Sequence, residues 1–599
     1  MRLSLLLSVC CLAVLPACSC DTPPGQDAGQ PPPPDDGGSF VPDAGEDAGF
    51  DAGTDAGLDA DAGTDGGTDG GTDAGTDAGL PNLAPLVDAG APSHWLLGRR
   101  YELSGSGTDP DGDPLTFVWT QTSGPTATFD ADAGWATSAF TPRAVGVYVF
   151  SLTANDGRLG STSSATTISV HDVNGGEAHS LALKPDGTLW GWGENTYGSV
   201  GDGTNALRDA PVRVCNTDAT DCVANPFTGA IAIATGRTQS LALKADGTVW
   251  SWGSAVSGEL GNGQFVDRTT PGPVCAVDAV STDGGTAPDC AAYPLTGVGA
   301  IAAGYLHSVA LKQDGTVVAW GYNYDGALGN GTTSFAGGIP GYVCAPAATP
   351  PCQPDAGNVL TDVRAIAAGG GGHTLALTRS GVLYAFGYNK SGQCGNGNSF
   401  VTRLPLPTAV CAPGSTAPCA NSLTDLVAFD AWSGHSLALD TQGRFFGFGG
   451  NNDNELGMVT TEACYSAATC TSVPALVCSN ATLPCTAPLT GVKTFAAGRR
   501  WSVASFADGT ARSWGDNTYG QLGNGGDAGS NIPSPVCAVG QLAPCTAPLT
   551  GIAAVATGSF HGFALGRGGT LYTWGDNASG QLGADAGLSS VSPVPVPGY

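Results

Sequence analysis

Histidine, the side chain whose charge changes most readily near neutral pH, recurs at one position of a repeated segment in this chain. Gln239 and Trp501 hold the same position in two further copies. A residue that recurs once per repeat is typical of a structural role. We therefore expect the recurring histidines to hold the hairpin of their own repeat, without catalysis or metal binding: His179, His307, His373, His435 and His561.

The sequence patterns that would indicate catalysis are missing. The 599 residues contain neither a Gly-x-x-x-x-Gly-Lys phosphate loop nor a His-Glu-x-x-His zinc motif. We predict that the protein is not an enzyme, and that it has no catalytic residue, no bound metal and no cofactor.

Composition narrows both the fold and the partners. The chain has 22 basic and 52 acidic residues, so its formal net charge is −30. Because phosphate backbones are bound by concentrated Lys and Arg, we expect no nucleic-acid partner. The chain has 92 glycines and only 12% charged residues, which favours short strands and tight turns over long, salt-bridged helices.

Seven copies of one segment, beginning near residue 175, must position the recurring residues. Each copy alternates with period two on both sides of a turn glycine, and these glycines are 60–68 residues apart: Gly187, Gly247, Gly315, Gly381, Gly443, Gly509 and Gly569. A second glycine follows a large aromatic residue in every copy: Trp192, Trp252, Trp320, Phe386, Phe448, Trp514 and Trp574. Since a hairpin cannot bury its apolar face alone, we predict an all-β fold, a seven-bladed β-propeller over residues 172–599 with the aromatics as wedges between blades.

These copies follow a recognisable pattern. The third reads Ile-Ala-Ala-Gly at 301–304, His-Ser at 307–308, Asp-Gly at 314–315, Trp-Gly at 320–321 and Gly-Ala-Leu-Gly at 326–329. It resembles the regulator of chromosome condensation repeat. The resemblance implies a seven-bladed ring that works by surface recognition, since its members serve jobs as different as nucleotide exchange on a small nuclear GTPase, ultraviolet sensing in plants and β-lactamase inhibition. The fifth copy departs from the pattern, with Phe429-Asp430-Ala431-Trp432 in place of Ile-Ala-Ala-Gly.

The loop before the histidine position varies between copies, and in a ring the seven loops converge on one face. Tyr, Phe and Arg are enriched where proteins bind one another. We predict that this face binds an acidic or carboxylate-rich partner, with a gap at the glycine stretch 369–372 of the fourth copy. An unselected solvent-exposed surface would vary in the same way. The predicted partner-binding residues are Arg237, Tyr305, Arg499, Arg500 and Phe560.

The 19 cysteines fall into two groups. Four lie near the start of the chain, at Cys10, Cys11, Cys18 and Cys20. Most others form close pairs in the connections between repeats, which in an exported chain indicates local disulfides. Zinc is the competing interpretation, but four-cysteine clusters with ligand spacing are missing. Cys394 replaces an aliphatic residue, so we expect a buried free thiol. The predicted disulfides join Cys215 to Cys222, Cys275 to Cys290, Cys344 to Cys352, Cys411 to Cys419, Cys464 to Cys470, Cys478 to Cys485 and Cys537 to Cys545.

The start of the chain predicts export. Residues 3–15 are apolar and too few to span a bilayer, which is typical of a signal peptide. Leu15-Pro16-Ala17-Cys18 resembles a bacterial lipobox, which implies cleavage after residue 17 and a lipid on Cys18. An ordinary signal peptide with a chance cysteine is the alternative. Ser19 favours the outer membrane, so we expect a bacterial outer-membrane or cell-surface lipoprotein, with the periplasm or secretion as the alternative.

Two segments separate the lipid site from the repeats. Residues 18–80 are rich in Asp, Ala, Gly and Thr, and residues 21–80 carry 15 acidic side chains and no basic one, which predicts a disordered acidic tether. Residues 81–171 contain strand-like runs, and Thr-Asp-Pro-Asp-Gly-Asp-Pro at 108–114 with Trp119 resembles the polycystic-kidney-disease-type immunoglobulin-like module, which implies a β-sandwich with Trp119 in its core. Asp109, Asp111 and Asp113 are either calcium ligands or part of a stiff turn.

These observations support three functions. The first is an exported, lipid-anchored recognition propeller that binds a protein or other surface partner through one face. The second is a structural spacer of the cell surface without a discrete ligand. Nucleotide exchange is implied only by the resemblance and conflicts with export. We expect a monomer whose only membrane contact is the lipid anchor.

Overall fold

The structure is a computed structural model that describes residues 82–129, 136–158, 160–219, 221–277, 279, 288–415, 417, 419–482, 484–585 and 587–599. The predicted signal peptide at 1–17, the predicted lipid site Cys18 and the predicted tether at 18–80 lie outside these residues. The described elements are strands, apart from one short 3-10 helix at Pro354–Ala356. Within the described ranges, no helix is long and apolar enough to cross a bilayer.

The first described domain is a sandwich of short strands. Strands β5 (Thr116–Ser123), β7 (Gly146–Asn155) and β8 (Ser161–Gly175) pair antiparallel, and β2 (Ser93–Leu96) pairs with β8 in parallel. Its core is an aromatic cluster of Phe140, Tyr148 and Phe150, each fully buried. Trp119 is only partly buried beside this cluster, so the prediction that it fills the core was wrong. The strands are β1 Leu86–Asp88, β2 Ser93–Leu96, β3 Tyr101–Ser104, β4 Ser106–Thr108, β5 Thr116–Ser123, β6 Thr137–Phe140, β7 Gly146–Asn155 and β8 Ser161–Gly175.

Six repeats each form one separate, four-stranded antiparallel sheet, and these are the blades of a propeller. Within each sheet the strands pair in chain order. Repeat 2 comprises β12 Ala230–Thr235, β13 Gln239–Lys244, β14 Val249–Gly253 and β15 Arg268–Pro273; repeat 3 comprises β16 Val298–Ala303, β17 His307–Lys312, β18 Val317–Tyr322 and β19 Ala336–Tyr342; repeat 4 comprises β20 Val363–Gly369, β21 His373–Thr378, β22 Leu383–Tyr388 and β23 Arg403–Ala409. Repeat 5 comprises β24 Leu426–Trp432, β25 His435–Asp440, β26 Phe445–Gly450 and β27 Cys470–Leu476; repeat 6 comprises β28 Val492–Gly498, β29 Trp501–Phe506, β30 Ala511–Gly515 and β31 Ser530–Pro535; repeat 7 comprises β32 Ile552–Thr557, β33 His561–Gly566, β34 Leu571–Asp576 and β35 Ser589–Pro595.

Repeat 1 differs from the other six. Its strands are β9 His179–Leu183, β10 Leu189–Gly193 and β11 Arg208–Arg213, and β9 pairs with the last four residues of β8. The earlier part of β8 belongs to the sandwich, so the two domains share one seven-stranded sheet. Seven equivalent sheets were expected, and six separate ones are observed. The predicted domain boundary at 171/172 falls inside the continuous strand β8.

The recurring glycines have the positive φ angles that favour glycine over other residues. All seven turn glycines have a positive φ, as at Gly187 (79°) and Gly381 (92°). The second glycine of every repeat is also left-handed, and at Gly321 a Cβ would lie 2.5 Å from the carbonyl oxygen of Leu306. A side chain at either position would therefore be strained, which explains why glycine recurs there.

The wedge aromatics join neighbouring repeats. Trp320 is fully buried, and its indole Nε1 donates to the carbonyl of Glu259 in repeat 2 at 2.8 Å. Trp192 donates in the same way to Gln581 of repeat 7, at 2.8 Å. Each of the five wedge tryptophans thus contributes both apolar burial and a hydrogen bond to the preceding repeat, and repeat 1 is joined to repeat 7 by the same contact. Phe386 and Phe448 contribute apolar burial alone.

All seven predicted disulfides are present, with partners 6–15 residues apart in sequence, and six of them close connections between repeats. Cys464–Cys470 was expected in such a connection but lies within repeat 5, between its third and fourth strands. Cys394 is the free cysteine of the described residues and is buried, as expected. Burial raises the pKa of its thiol far above the ordinary value, so the reactive thiolate is disfavoured. The disulfides join Cys215 to Cys222, Cys275 to Cys290, Cys344 to Cys352, Cys411 to Cys419, Cys464 to Cys470, Cys478 to Cys485 and Cys537 to Cys545.

The sandwich covers one end of the propeller. The turn glycines and the loops before the histidine position lie at opposite ends of the same strands, and the sandwich lies at the end of the turn glycines. Leu97 packs against a buried cluster of repeats 2 and 3 that includes Val249 and Val298. Glu102 accepts a hydrogen bond from the Lys493 ammonium. The opposite end carries the variable loops and is open in the part of the chain that the structure describes.

Candidate binding site

Backbone hydrogen bonds tie five of the seven variable loops to one another. Along the rim, Arg499 N–H donates to Ser559 O at 2.9 Å and Ser559 N–H donates to Gly176 O at 3.0 Å. The chain of bonds continues from Glu177 N–H to Arg237 O (3.0 Å) and from Arg237 N–H to Tyr305 O (3.1 Å). The loops of repeats 6, 7, 1, 2 and 3 thus form a continuous rim. The loops of repeats 4 and 5 do not take part in this series of backbone hydrogen bonds.

Glu177 lies between two of the predicted arginines. Its Oε2 accepts from Arg237 Nε at 2.5 Å, and its Oε1 lies 3.4 Å from Arg499 Nη1. Both guanidinium groups also face aromatic rings, Arg237 over Tyr305 at 4.8 Å and Arg499 over Phe560 at 5.2 Å. The arginines are therefore held in place but partly neutralised, which the sequence analysis did not anticipate.

A cavity of about 510 Å³ opens beside this rim, and all seven repeats contribute to its lining, repeats 3 to 5 most of all. Four of the five predicted residues line it, namely Arg237, Tyr305, Arg499 and Arg500. Phe560 does not belong to its lining and lies under Arg499. The structure thus brings together residues that are up to 263 positions apart in sequence. That they bind a partner stays a prediction.

The predicted gap at the glycine stretch of repeat 4 is partly filled. A Cβ on Gly370 would lie 3.0 Å from the ring of Trp432, the residue that replaces the usual glycine in repeat 5. Trp432, Gly370 and Gly371 all line the cavity. The open end is therefore lopsided, as expected, but an indole forms part of the floor where empty space was predicted.

Repeat 5 contributes an acidic wall to the cavity. Asp453 Oδ2 lies 3.5 Å from Arg500 Nε. Glu455 is only 5% exposed, and its Oε2 accepts from Asp453 N–H at 2.9 Å. Burial raises the pKa of Asp453 and raises the pKa of Glu455 to about 7. Arg500 itself has a left-handed backbone (φ 65°). Residues other than glycine rarely adopt this conformation, and those that do are concentrated at functional sites.

The recurring histidines bind the next repeat, so the prediction that they hold their own hairpin was wrong. His179 Nε2 lies 3.0 Å from Ser240 Oγ of repeat 2, and His561 Nε2 lies 3.0 Å from Ser180 Oγ of repeat 1. His307, His373 and His435 make the same contact with Thr374, Ser436 and Ser502. Gln239 donates to Gly304 O and Trp501 to Ser559 O, again in the next repeat.

The hydroxyl groups that contact these histidines show which ring nitrogen carries the proton. Ser240 Oγ donates its hydrogen to Ser199 O at 2.9 Å, so His179 Nε2 must itself be the donor to Ser240. The Nδ1 atoms of His307, His373, His435 and His561 are buried without a partner among the described residues. A second proton would have no acceptor there. Burial accordingly lowers the pKa of the five histidines to about 3 or 4.

Two further groups of residues have the chemistry of metal ligands. Ligand atoms of Glu462, Cys464 and Cys470 lie within 4.8 Å of one another, but the two cysteines form a disulfide and offer no thiolate. In the sandwich, Asp109 Oδ1 accepts from the backbone N–H groups of Asp111 and Asp113, at 2.9 and 3.1 Å. These bonds are those of the stiff turn that the sequence analysis gave as the alternative to calcium.

Sequence reasoning missed several residues that line the cavity. Tyr322 and Tyr388 end the third strand of their repeats, and Glu455 occupies the position before the closing Leu-Gly. Glu177 was visible in its loop, but nothing in the sequence showed which arginines it would meet. A signal for repeat 5 existed in its unusual Asn-Asn-Asp-Asn-Glu run at 451–455.

The fold and the repeat pattern define a β-propeller whose four-stranded blades are marked by paired glycines. The chain belongs to the RCC1-like domain family, whose model matches residues 282–599. Models of the regulator of chromosome condensation (RCC1) repeat match residues 170–199 and 186–243, and a PKD domain model matches residues 95–170. Both resemblances drawn from the sequence are confirmed at the level of the family.

Named relatives differ widely in function. The chain is 24% identical to the ultraviolet-B receptor UVR8 of Arabidopsis thaliana over 69% of its own length and 78% of the receptor. It is 26% identical to the E3 ubiquitin-protein ligase HERC2 of Mus musculus over 67% of its length, but spans only 7% of that relative. Among solved structures, Prp20p of Saccharomyces cerevisiae matches with 22% identity and a TM-score of 0.47, over 65% of this chain and 80% of that one.

Proposed function

We propose that this protein is an exported, lipid-anchored recognition protein that binds a protein partner with the open end of its propeller. It works as a scaffold without catalysis and without nucleic acid, at the bacterial outer membrane or cell surface. The acidic segment at 18–80 acts as the tether, and the sandwich holds the propeller on it. Membership of the RCC1-like domain family supports a binding function but does not identify the partner.

The full ring in this proposal has seven blades, with repeat 1 as the first. The wedge Trp192 and the hydroxyl of Ser180 connect repeat 1 to repeat 7 through the same bonds that connect other neighbours. His179 connects repeat 1 to repeat 2. Seven converging loops are therefore the basis for the predicted face.

One observation carries the proposal: the two ends of the propeller are unlike. The sandwich covers the end of the turn glycines, while the other end holds a cavity with arginine and aromatic side chains. The side chains of Arg237, Arg499 and Arg500 are 40%, 41% and 57% exposed, so each keeps donors that face outward despite its acidic neighbour. Guanidinium groups that are fixed by an acidic side chain and an aromatic ring are suited to bind carboxylates of a protein partner.

The test is affinity capture from an envelope extract of the producing cell, with the triple variant R237A/R499A/R500A. Removal of a desolvated arginine contact costs about 2–5 kcal/mol, so capture of a specific partner should be lost. The matched control is R213A/R379A/R512A, which removes three arginines that do not line the cavity and should capture normally. Equal capture by both triple variants would contradict the proposal and favour a spacer without a discrete ligand.

The lipid anchor has its own test in Cys18→Ser. The apolar stretch followed by Leu-Pro-Ala-Cys predicts a lipid on this sulfur, and a serine oxygen does not accept it in lipoprotein maturation. The variant should leave the membrane fraction for the soluble one while remaining exported. Replacement of the neighbouring Cys20 by Ser is the control and should leave membrane fractionation unchanged. If Cys18→Ser remains in the membrane fraction, the anchor lies elsewhere.

A further inference from the structure

Glu455 of repeat 5 differs from the residues that occupy its position in repeats 2, 6 and 7. Gln521 Nε2 donates to Asp516 Oδ2 at 3.0 Å, and Gln581 makes the same bond to Asp576 at 2.9 Å. In repeat 2, Glu259 Oε1 accepts from Ser254 Oγ at 3.1 Å. These residues are thus satisfied by a side chain of their own repeat.

Repeat 5 lacks that internal partner. Gly450 stands where Asp516, Asp576 and Ser254 stand in the other repeats. Glu455 Oε2 still accepts from Asp453 N–H, but no other residue in the described part of the chain donates to its Oε1. The side chain is 5% exposed and lines the cavity. The carboxyl group of this nearly buried side chain therefore accepts from backbone N–H groups but has no side-chain donor among the described residues, and such a group favours an incoming donor.

The residues around Glu455 favour a positively charged donor. Asp453 and Glu455 place two carboxyl groups at this wall, while Arg500 supplies one guanidinium, so the local balance is acidic. Tyr322, Tyr388 and Trp432 line the same cavity. Aromatic rings attract cations and also cover the alkyl stem of a long side chain.

We infer that Glu455 binds the primary ammonium of a lysine side chain that a protein partner inserts into the cavity, with the alkyl stem against the aromatic walls. The inference rests on the proposed function and deepens it. The arginine rim binds acidic residues that flank this lysine. The recognised segment therefore carries both charges, a lysine at its centre and carboxylates beside it.

The test measures binding of two labelled peptides to the full chain by fluorescence anisotropy. One is acetylated Glu-Ala-Lys-Ala-Glu, and in the other norleucine replaces the lysine, which keeps the alkyl chain but removes the charge. We expect the native chain to bind the lysine peptide at least about tenfold more tightly, since a hydrogen bond between charged groups is worth about that much. Equal affinity for the two peptides, or no binding of either, would overturn the inference.

Two variants locate the effect. E455Q removes the charge with a residue that Gln521 and Gln581 show to be compatible with the fold, and it should abolish the preference for lysine. E259Q makes the same change at the equivalent position of repeat 2, where the oxygen is already satisfied, and should retain the preference. A preference that survives in E455Q would contradict the assignment of Glu455.

A competitor distinguishes the source of the amine. Cadaverine carries the same ammonium and alkyl chain without a peptide, and should displace the lysine peptide only in large excess. Displacement at an equal concentration would assign the site to free amines and overturn the assignment to a partner protein. Capture of a partner that is lost in the arginine triple variant but undiminished in E455Q would leave the proposed function standing and refute this inference alone.

Discussion

Lowering the pH from 7 to 5 should destabilise the propeller strongly, and the recurring histidines are the main reason. Their pKa is lowered by burial to about 3 or 4 in the folded chain, against 6.5 in the unfolded chain. His171 behaves alike, since burial and the neighbouring His94 lower its pKa to about 3. The stability these six residues contribute is fully present above pH 6.5 and is lost as the pH falls toward their folded values.

Buried carboxyl groups act in the opposite direction. Burial raises the pKa of Asp172, Glu259 and Glu455 to about 7, and raises that of Asp430 as well. These groups bind protons in the folded chain that they have released in the unfolded chain, so they stabilise the fold as the pH falls toward 4.5. Six histidines exceed four carboxyl groups, so the net effect of these buried groups is a loss of stability as the pH falls from 6.5 to 4.5.

Denaturant unfolding at a series of pH values measures this loss. Gln239 shows that glutamine fits the histidine position and donates to the next repeat, so H307Q/H373Q should fold and should have a flatter profile. The reverse change Q239H adds a histidine at the recurring position of repeat 2 and should make the profile steeper. A double variant as acid-sensitive as the parent would show that other groups cause the acid loss.

The sequence alone was sufficient to predict the features that depend only on contacts within one repeat or between neighbouring repeats. Glycine at a left-handed φ, an aromatic residue between sheets and two cysteines in one connection all follow from conformational and burial demands within about 70 residues. These features therefore emerged from the pattern of the chain alone. The turn at Gly187 and the pairing of Cys215 with Cys222 did not depend on the order of the ring.

The parts that could not be predicted depend on contacts across the ring. Glu177 bonds Arg237 in the next repeat but also Arg499, 322 positions away and beyond repeat 7. Trp432 departs from its repeat pattern, and only the structure shows its ring against Gly370. Long side chains choose such partners by the three-dimensional distance between loops, which the repeat pattern does not contain. The direction of the histidine bonds, to the next repeat and not within their own, was missed for the same reason.

The wedge tryptophans should be among the costliest positions to truncate. Trp320 is fully buried between repeats 2 and 3, in a cluster with Leu243, Val274 and Ala310. In W320A the lost burial and the cavity left behind should lower the free energy of unfolding by about 3–5 kcal/mol. The Glu259 carbonyl would lose the indole donor as well, although Ser308 Oγ still donates to it at 2.9 Å.

The matched control for this prediction already exists in the chain, since Phe386 and Phe448 occupy the wedge position in repeats 4 and 5. W320F keeps most of the apolar volume and loses mainly the Nε1 hydrogen bond, so it should cost about 1–2 kcal/mol. Guanidinium unfolding of both variants, followed by far-ultraviolet circular dichroism, measures the difference. If W320A were within about 1 kcal/mol of W320F, the wedge would be a site of hydrogen bonding only. The expected gap of several kcal/mol assigns its effect to packing between the blades, which is the interaction that six separate sheets need in order to form one ring.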